Sequence, residues 1–142
     1  MKLGIISGYF NPIHTGHLDY IDGAKDKCDF LFVIVNNDNQ VGIKGSKRFM
    51  NQASRLRIVK ALHKVNGAMV SIDQDSTVCE SIKEVHRLFS EEDIYFMNGG
   101  DRGQGTVPEA KVCEELGIKM VYNVGGIKTE SSSTLLQKVA SE

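Results

Sequence analysis

The stretch "ISGYFNPIHTGHLDYI", residues 6–21, holds two of the chain's four histidines, His14 and His17, with Gly8 and Gly16 beside them. It falls where an apolar run gives way to a helical pattern. At such a junction the first backbone N–H groups of the helix have no partner and carry partial positive charge, which suits an anion. The spacing puts both imidazoles on nearly one side of a helical turn. Each can donate a hydrogen bond to a phosphate oxygen without a fixed high charge. Gly8 and Gly16 would let a bulky phosphate chain approach the backbone. Taken alone, the pair is also what a solvated helix start looks like. Zinc fits less well, because no third ligand is suggested nearby.

The elements that must position this pair alternate along the chain. "KLGIIS" (2–7), "FLFVIV" (30–35), "AMVSI" (68–72), "IYFM" (94–97) and "KMVYNV" (119–124) read as short buried strands. Between them, Leu18, Ile21, Ala24 and Cys28 make one helical face, and a helix is predicted over about 52–63 with Leu56, Val59, Ala61, Leu62 and His63 on its inner side. Residues 78–89 repeat the pattern with Val78, Ile82, Val85 and Phe89. Pro108 suits the first turn of a helix over about 108–116, with Gly117 as its stop. A last pattern, Leu135, Leu136 and Val139, follows Ser131, Ser132 and Ser133. The polar stretch 36–51 reads as a loop broken by Gly42 and Gly45.

Such alternation implies one α/β domain over residues 1–142: a Rossmann-like, five-stranded parallel sheet with helices on both faces. Ligands of such sheets lie beyond the carboxyl ends of the strands, where strand order reverses. The clusters that could do chemistry, at 8–17, 36–48, 98–102 and 125–133, each follow a strand. Neither a Gly-x-Gly-x-x-Gly dinucleotide turn nor a Walker loop occupies the first of them.

Composition narrows the partners. A chain of 142 residues with 41% hydrophobic and 25% charged residues is globular, and a net charge of -1 argues against coating nucleic acid. Lys44, Lys47 and Arg48 can still bind a small anion. No apolar run is long enough for a membrane span, and the N-terminus runs into polar Asn11 and His14 with no signal-peptide cleavage pattern. Three scattered cysteines, Cys28, Cys79 and Cys113, suit reduced thiols and a cytoplasmic location.

"GYFNPIHTGH" closely resembles the Gly-x-Phe-Asp/Asn-x-x-His-x-Gly-His signature of the cytidylyltransferase-like nucleotidyltransferases. Further along, "NNDNQVGIKGSKRFMNQASRLRIVKAL" resembles the family's Asp-bearing turn, its lysine loop and the arginine opening the next helix. "MNGGDR" is similar to the Lys-Gly-Gly-Asp segment of the heptose-phosphate adenylyltransferase branch, and "KTESSSTLL" to the closing serine element. Two positions depart: Asn11 stands for the commoner aspartate, and Asn98 for the lysine of the heptose branch.

The resemblance implies attack by an acceptor's phosphate oxygen on the α-phosphorus of a nucleoside triphosphate, ATP or CTP, with release of pyrophosphate. It makes His14, His17 and Lys44 the catalytic set, with Lys47 second to Lys44. Gly8, Tyr9, Phe10, Asn11 and Gly16 then bind the nucleotide, as do Arg55, Gly99, Gly100, Asp101, Lys128, Ser131, Ser132 and Ser133. Each carries a plainer alternative: a solvated basic loop at Lys44, an exposed helix-end arginine at Arg55, a simple turn at Gly99–Asp101, an N-cap at the serines. Asp38 either meets the nucleotide's sugar or ends the second strand. Mg²⁺ is expected with the nucleotide rather than in a protein cage. The family habit implies a homodimer. A phosphorylated sugar, polyol or alcohol is the expected acceptor, with a glycerol-3-phosphate-type cytidylyltransferase as the alternative and a non-catalytic nucleotide-binding regulator as the further one.

Overall fold

The computed structural model describes residues 1–99 and 107–125. The expectations placed on Gly100, Asp101, Lys128, Ser131, Ser132 and Ser133, and on the last helical pattern, lie outside the described residues.

Five continuous or near-continuous apolar runs form parallel strands: β1 (Lys2–Gly8), β2 (Phe30–Val35), β3 (Gly67–Val70), β4 (Asp93–Gly99) and β5 (Lys119–Val124). They lie side by side in the order β3-β2-β1-β4-β5. The chain thus works outward from β1 to β3, then crosses back to β4, so strand order reverses between β1 and β4. The central strand is buried on both sides, with Leu3, Ile5 and Ile6 all at 0% exposure. Each such side chain contributes roughly 1.5–3 kcal/mol on leaving water.

Helices cover both faces, as the alternation implies. Ile21 and Ala24 of α1 (Thr15–Lys25) and Val59 of α3 (Gln52–Ala61) pack on one face with Ile6, Val33 and Met97. Ile82 and Val85 of α4 (Cys79–Leu88) and Cys113 of α5 (Ala110–Leu116) pack on the other with Ile5, Ile34 and Phe96. The α5 helix starts two residues after Pro108 and stops at Gly117 in the left-handed region, φ 72°. Among the described residues no helix is long and apolar enough to cross a membrane.

Two expectations are corrected. The stretch 36–51 is not loop throughout: residues Asp38–Lys44 form a helix, α2. Asn37 and Gln40 cap it reciprocally, the Asn37 side chain accepting from Gln40 N–H at 2.9 Å and Gln40 Oε1 accepting from Asn37 N–H at 3.0 Å. Gly45, at φ 79°, closes it. The buried face of α2 is Gln40 and Val41, so no apolar stripe marks it. In α3, Ala61 and His63 are exposed rather than inward, because the helix ends at Ala61 and the chain turns extended at Leu62.

A polar lattice supports the outer end of β2. Gln40, at 0% exposure, donates to the carbonyls of Asp75 and Thr77, each at 2.8 Å, and accepts from Asn36 and from the Ser71 hydroxyl. Asp73 then caps α4 from outside its own first turn, accepting from Glu80 N–H at 2.7 Å and Ser81 N–H at 3.0 Å.

Candidate active site

The turn after β1 brings the histidines to the point of strand reversal. Phe10 takes a positive φ of 51°, and the Asn11–Pro12 peptide is cis. The Phe10 ring folds under the turn, where a side chain at Gly8 would meet it at 3.0 Å. It is 1% exposed and lies 4.9 Å from the His17 ring.

The histidines themselves make the start of α1. His14 is the N-cap, its Nδ1 accepting from Gly16 N–H at 3.0 Å. His17 answers from the third helical position, its Nδ1 accepting from His14 N–H at 3.1 Å. Two orphan helix donors are thereby satisfied by imidazoles in the way a capping box uses Ser and Glu. The rings stack with centroids 3.9 Å apart at 30°. An imidazole nitrogen that accepts carries no proton, so each neutral ring bears its proton on Nε2. The fold therefore fixes both rings as Nε2–H donors.

Two further segments meet this turn, and α1 reaches the end of β4. Asn11 accepts from Phe49 N–H at 2.9 Å and Met50 N–H at 3.3 Å and donates to the Lys47 carbonyl at 2.8 Å. Lys44, last residue of α2, holds its Nζ 4.3 Å above the Tyr9 ring, a contact worth about 0.5–1 kcal/mol at an exposed site. Tyr20 of α1 donates its hydroxyl to the Met97 carbonyl, and its ring covers Gly99 at the end of β4.

Arg55 is placed differently from the expectation of an arginine open to phosphate. It is 0% exposed. Its Nη1 donates to the carbonyls of Tyr9 at 2.8 Å and Asn36 at 2.6 Å, its Nε to Met50 at 3.1 Å, and its Nη2 to Asp38 Oδ1 at 2.8 Å. The guanidinium is turned inward because converging loop carbonyls and a carboxylate surround it. Asp38 does not end the second strand, which stops at Val35, but opens α2, and it also pairs with exposed Arg48 at 3.2 Å. Burial works to raise the Asp38 carboxyl, but the Arg55 guanidinium, the Gln52 N–H and Arg48 together hold it below its ordinary value.

Of the expected residues, Gly8, Tyr9, Phe10, Asn11, His14, Gly16, His17 and Lys44 lie at the end of β1, in the turn and helix start that follow, or against that turn, while Gly99 ends β4 beneath the Tyr20 ring. Asn98 is 4% exposed, and its Nδ2 has no partner among the described residues. Sequence reasoning passed over Asn37, Gln40 and Ser71, whose lattice holds α2; the Asn-x-x-Gln cap pattern at 37–40 was the available signal.

The sequence profile of the cytidylyltransferase-like family matches residues 5–132. This chain belongs to the cytidylyltransferase-like family. Within that family it is 31% identical over 123 residues to the bifunctional protein HldE of Hyphomonas neptunium, a match covering 85% of this chain and 24% of that one. It is 29% identical to the FAD synthase of Picrophilus torridus, covering 83% of this chain and 78% of the relative. A probable nicotinate-nucleotide adenylyltransferase of Desulfitobacterium hafniense is 26% identical over 70% of this chain and 51% of its own. The chain thus spans about a quarter of the bifunctional relative and most of the FAD synthase. In fold, the crystal structure of the lipopolysaccharide core biosynthesis protein from Thermoplasma volcanium superposes with a TM-score of 0.70 at 22% identity, over 92% of this chain and 99% of that one. In a parallel sheet of this strand order the general ligand position is beyond the carboxyl ends of the strands where the order reverses, between β1 and β4.

Proposed function

We propose that the chain is a nucleotidyltransferase that moves AMP or CMP from a nucleoside triphosphate to a phosphorylated sugar, polyol or alcohol, releasing pyrophosphate. The observation that carries this reading is the reciprocal histidine cap. It presents two Nε2–H donors, fixed in tautomer, at the start of a helix whose backbone is already suited to an anion.

The acceptor's phosphate is a competent nucleophile near neutral pH, so no strong general base is required. One of its oxygens forms the new bond to the α-phosphorus as the bond to the bridging oxygen of pyrophosphate breaks in line. Catalysis then consists of alignment and of stabilising charge on the α-phosphate and the leaving group. His17 and His14 donate to the triphosphate, with His17 nearest the α-phosphoryl. Lys44 leaves the Tyr9 ring and neutralises charge on the phosphates. Tyr9, Phe10, Asn11, Gly8 and Gly16 shape the turn, while Gly99, Gly100 and Asp101 face the nucleoside. Ser131, Ser132 and Ser133 with Lys128 take the β- or γ-phosphate. Arg55, proposed from the sequence as a phosphate ligand, acts in this reading through the loops it binds. The substrate is the nucleotide's magnesium complex, the ion adding charge neutralisation at the phosphates; imidazole and lysine donors are the right complement for the anion it leaves exposed. A homodimer is the proposed assembly.

The test is pyrophosphate release with each of the four nucleoside triphosphates against a panel of sugar, polyol and alcohol phosphates. Glycerol 3-phosphate covers the cytidylyltransferase alternative. Flavin mononucleotide and nicotinate mononucleotide enter the panel because of the FAD synthase and nicotinate-nucleotide relatives. Turnover with ATP or CTP and one phosphorylated acceptor supports the proposal. Tight nucleotide binding with no turnover across the panel would instead support a non-catalytic regulator.

A further inference from the structure

Asn11 uses both ends of its carboxamide on one short segment. Two backbone N–H groups, of Phe49 and Met50, converge on Oδ1, and one carbonyl, that of Lys47, faces Nδ2. That arrangement of two donors against one atom and an acceptor against the other assigns the oxygen and nitrogen of the amide. Met50 is held from its other side as well, its carbonyl accepting from Arg55 Nε at 3.1 Å. Arg55 in turn holds the Tyr9 carbonyl, two residues before Asn11 in the same turn. Residues 47–50 therefore form a strap laid over the histidine-bearing turn, although Lys47, Arg48 and Phe49 are exposed.

We propose that Asn11 is a positioning residue that fastens this strap, keeping Lys47 and Arg48 beside the phosphate cradle, and that it is not itself a nucleotide ligand. An ionised aspartate here could still accept from Phe49 and Met50. It could not donate to the Lys47 carbonyl, and would set a negative carboxylate against that carbonyl's oxygen. The amide at position 11 is thus matched to this strap, and the aspartate commoner in the resembling signature is not.

Limited trypsinolysis of the ligand-free chain tests the fastening without reference to activity. In N11D, cleavage after Lys47 and Arg48 should rise about tenfold over wild type, the scale set by losing one hydrogen bond and adding a repulsion. Cleavage elsewhere should be unchanged. Equal rates at these two bonds in N11D and wild type would overturn the proposal. Should N11D fail to fold, hydrogen exchange of the wild-type chain decides: protected Phe49 and Met50 amides support the strap, and free exchange at both sinks it. A kinetic arm rests on the proposed nucleotidyl transfer. There N11D should lower kcat with little change in the KM for the nucleoside triphosphate, whereas a direct ligand would raise that KM and leave the trypsin pattern alone. Because proteolysis and exchange need no substrate, failure of the strap and failure of the proposed reaction read out separately.

Discussion

Arg55 Nη2 and Asp38 Oδ1 meet at 2.8 Å, joining a wholly buried guanidinium to a carboxylate at the first position of α2. The same guanidinium binds the carbonyls of Tyr9, Asn36 and Met50. One side chain therefore ties together the turn after β1, the end of β2 and the approach to α3. Without the guanidinium the carbonyls of Tyr9, Asn36 and Met50 lose a donor, and leaving a buried polar group unsatisfied costs about 1–3 kcal/mol, while Asp38, 23% exposed, keeps its pairing with Arg48. R55M should lose stability on that scale in urea or guanidinium unfolding. R55K should recover only part of it, since an ammonium cannot reproduce the planar fork that reaches these groups in different directions. An R55M chain as stable as wild type would remove the hub from this account.

The Asp38 carboxyl gives the pair a pH signature. Burial tends to raise it, and the opposing contacts with Arg55, Gln52 and Arg48 leave it below its reference value of 3.8. A carboxyl depressed in the folded state stabilises that state fully above the unfolded value and loses the contribution as pH falls through the folded one. Unfolding free energy should accordingly drop as the medium is taken from neutrality to below that reference value. D38N, which cannot ionise, should be less stable at neutral pH and show a shallower acid slope. Parallel slopes for the two chains would place the acid sensitivity elsewhere.

These two residues also mark where the sequence ran out. The strand β2 matches its expected bounds because an uninterrupted apolar run leaves few alternatives for a buried parallel strand; β5, at the sheet edge, matches too although Lys119 and Asn123 interrupt its apolar residues. The His-x-x-His pair was legible as a helix start because its glycines and the strand before it appear in the chain order. The inward course of Arg55 was not legible. It depends on the carbonyls of residues 9, 36 and 50 arriving at one place, which is a property of the packed sheet and not of any local window. Helix α2 hid for a related reason: its inward positions are Gln40 and Val41, and a buried glutamine looks like a solvent-facing one until Asp75 and Thr77 supply its acceptors.

Stability and chemistry separate at His14. Its Nδ1 caps α1, and asparagine places an oxygen where that nitrogen accepts from Gly16 N–H. H14N should therefore melt close to wild type, with the cap's contribution of about 1 kcal/mol largely kept. What it lacks is a ring Nε2–H stacked on His17. Pyrophosphate release should fall by about 10² or more, the loss expected for one donor to a developing phosphoryl charge. H14A should suffer both losses. If H14N turned over at the wild-type rate, the imidazole would be only a cap.

Gly23 tests whether α1 is pinned against the end of β5. Glycine inside a helix ordinarily costs about 1 kcal/mol relative to alanine, so G23A would be expected to stabilise an isolated helix. Here a Cβ would lie 2.6 Å from the backbone nitrogen of Gly125 and 2.8 Å from its Cα. Those are backbone atoms in a turn at φ 86°, so neither can swing aside as a flexible side chain would. Overpacking of this kind costs about 1–3 kcal/mol, which outweighs the propensity gain. G23A should thus be less stable than wild type by denaturant titration. It should also lose turnover, since relief of the clash moves the helix that carries His17 away from β4 and β5. A stabilised G23A with wild-type turnover would mean that the helix is free to shift there without consequence for the site.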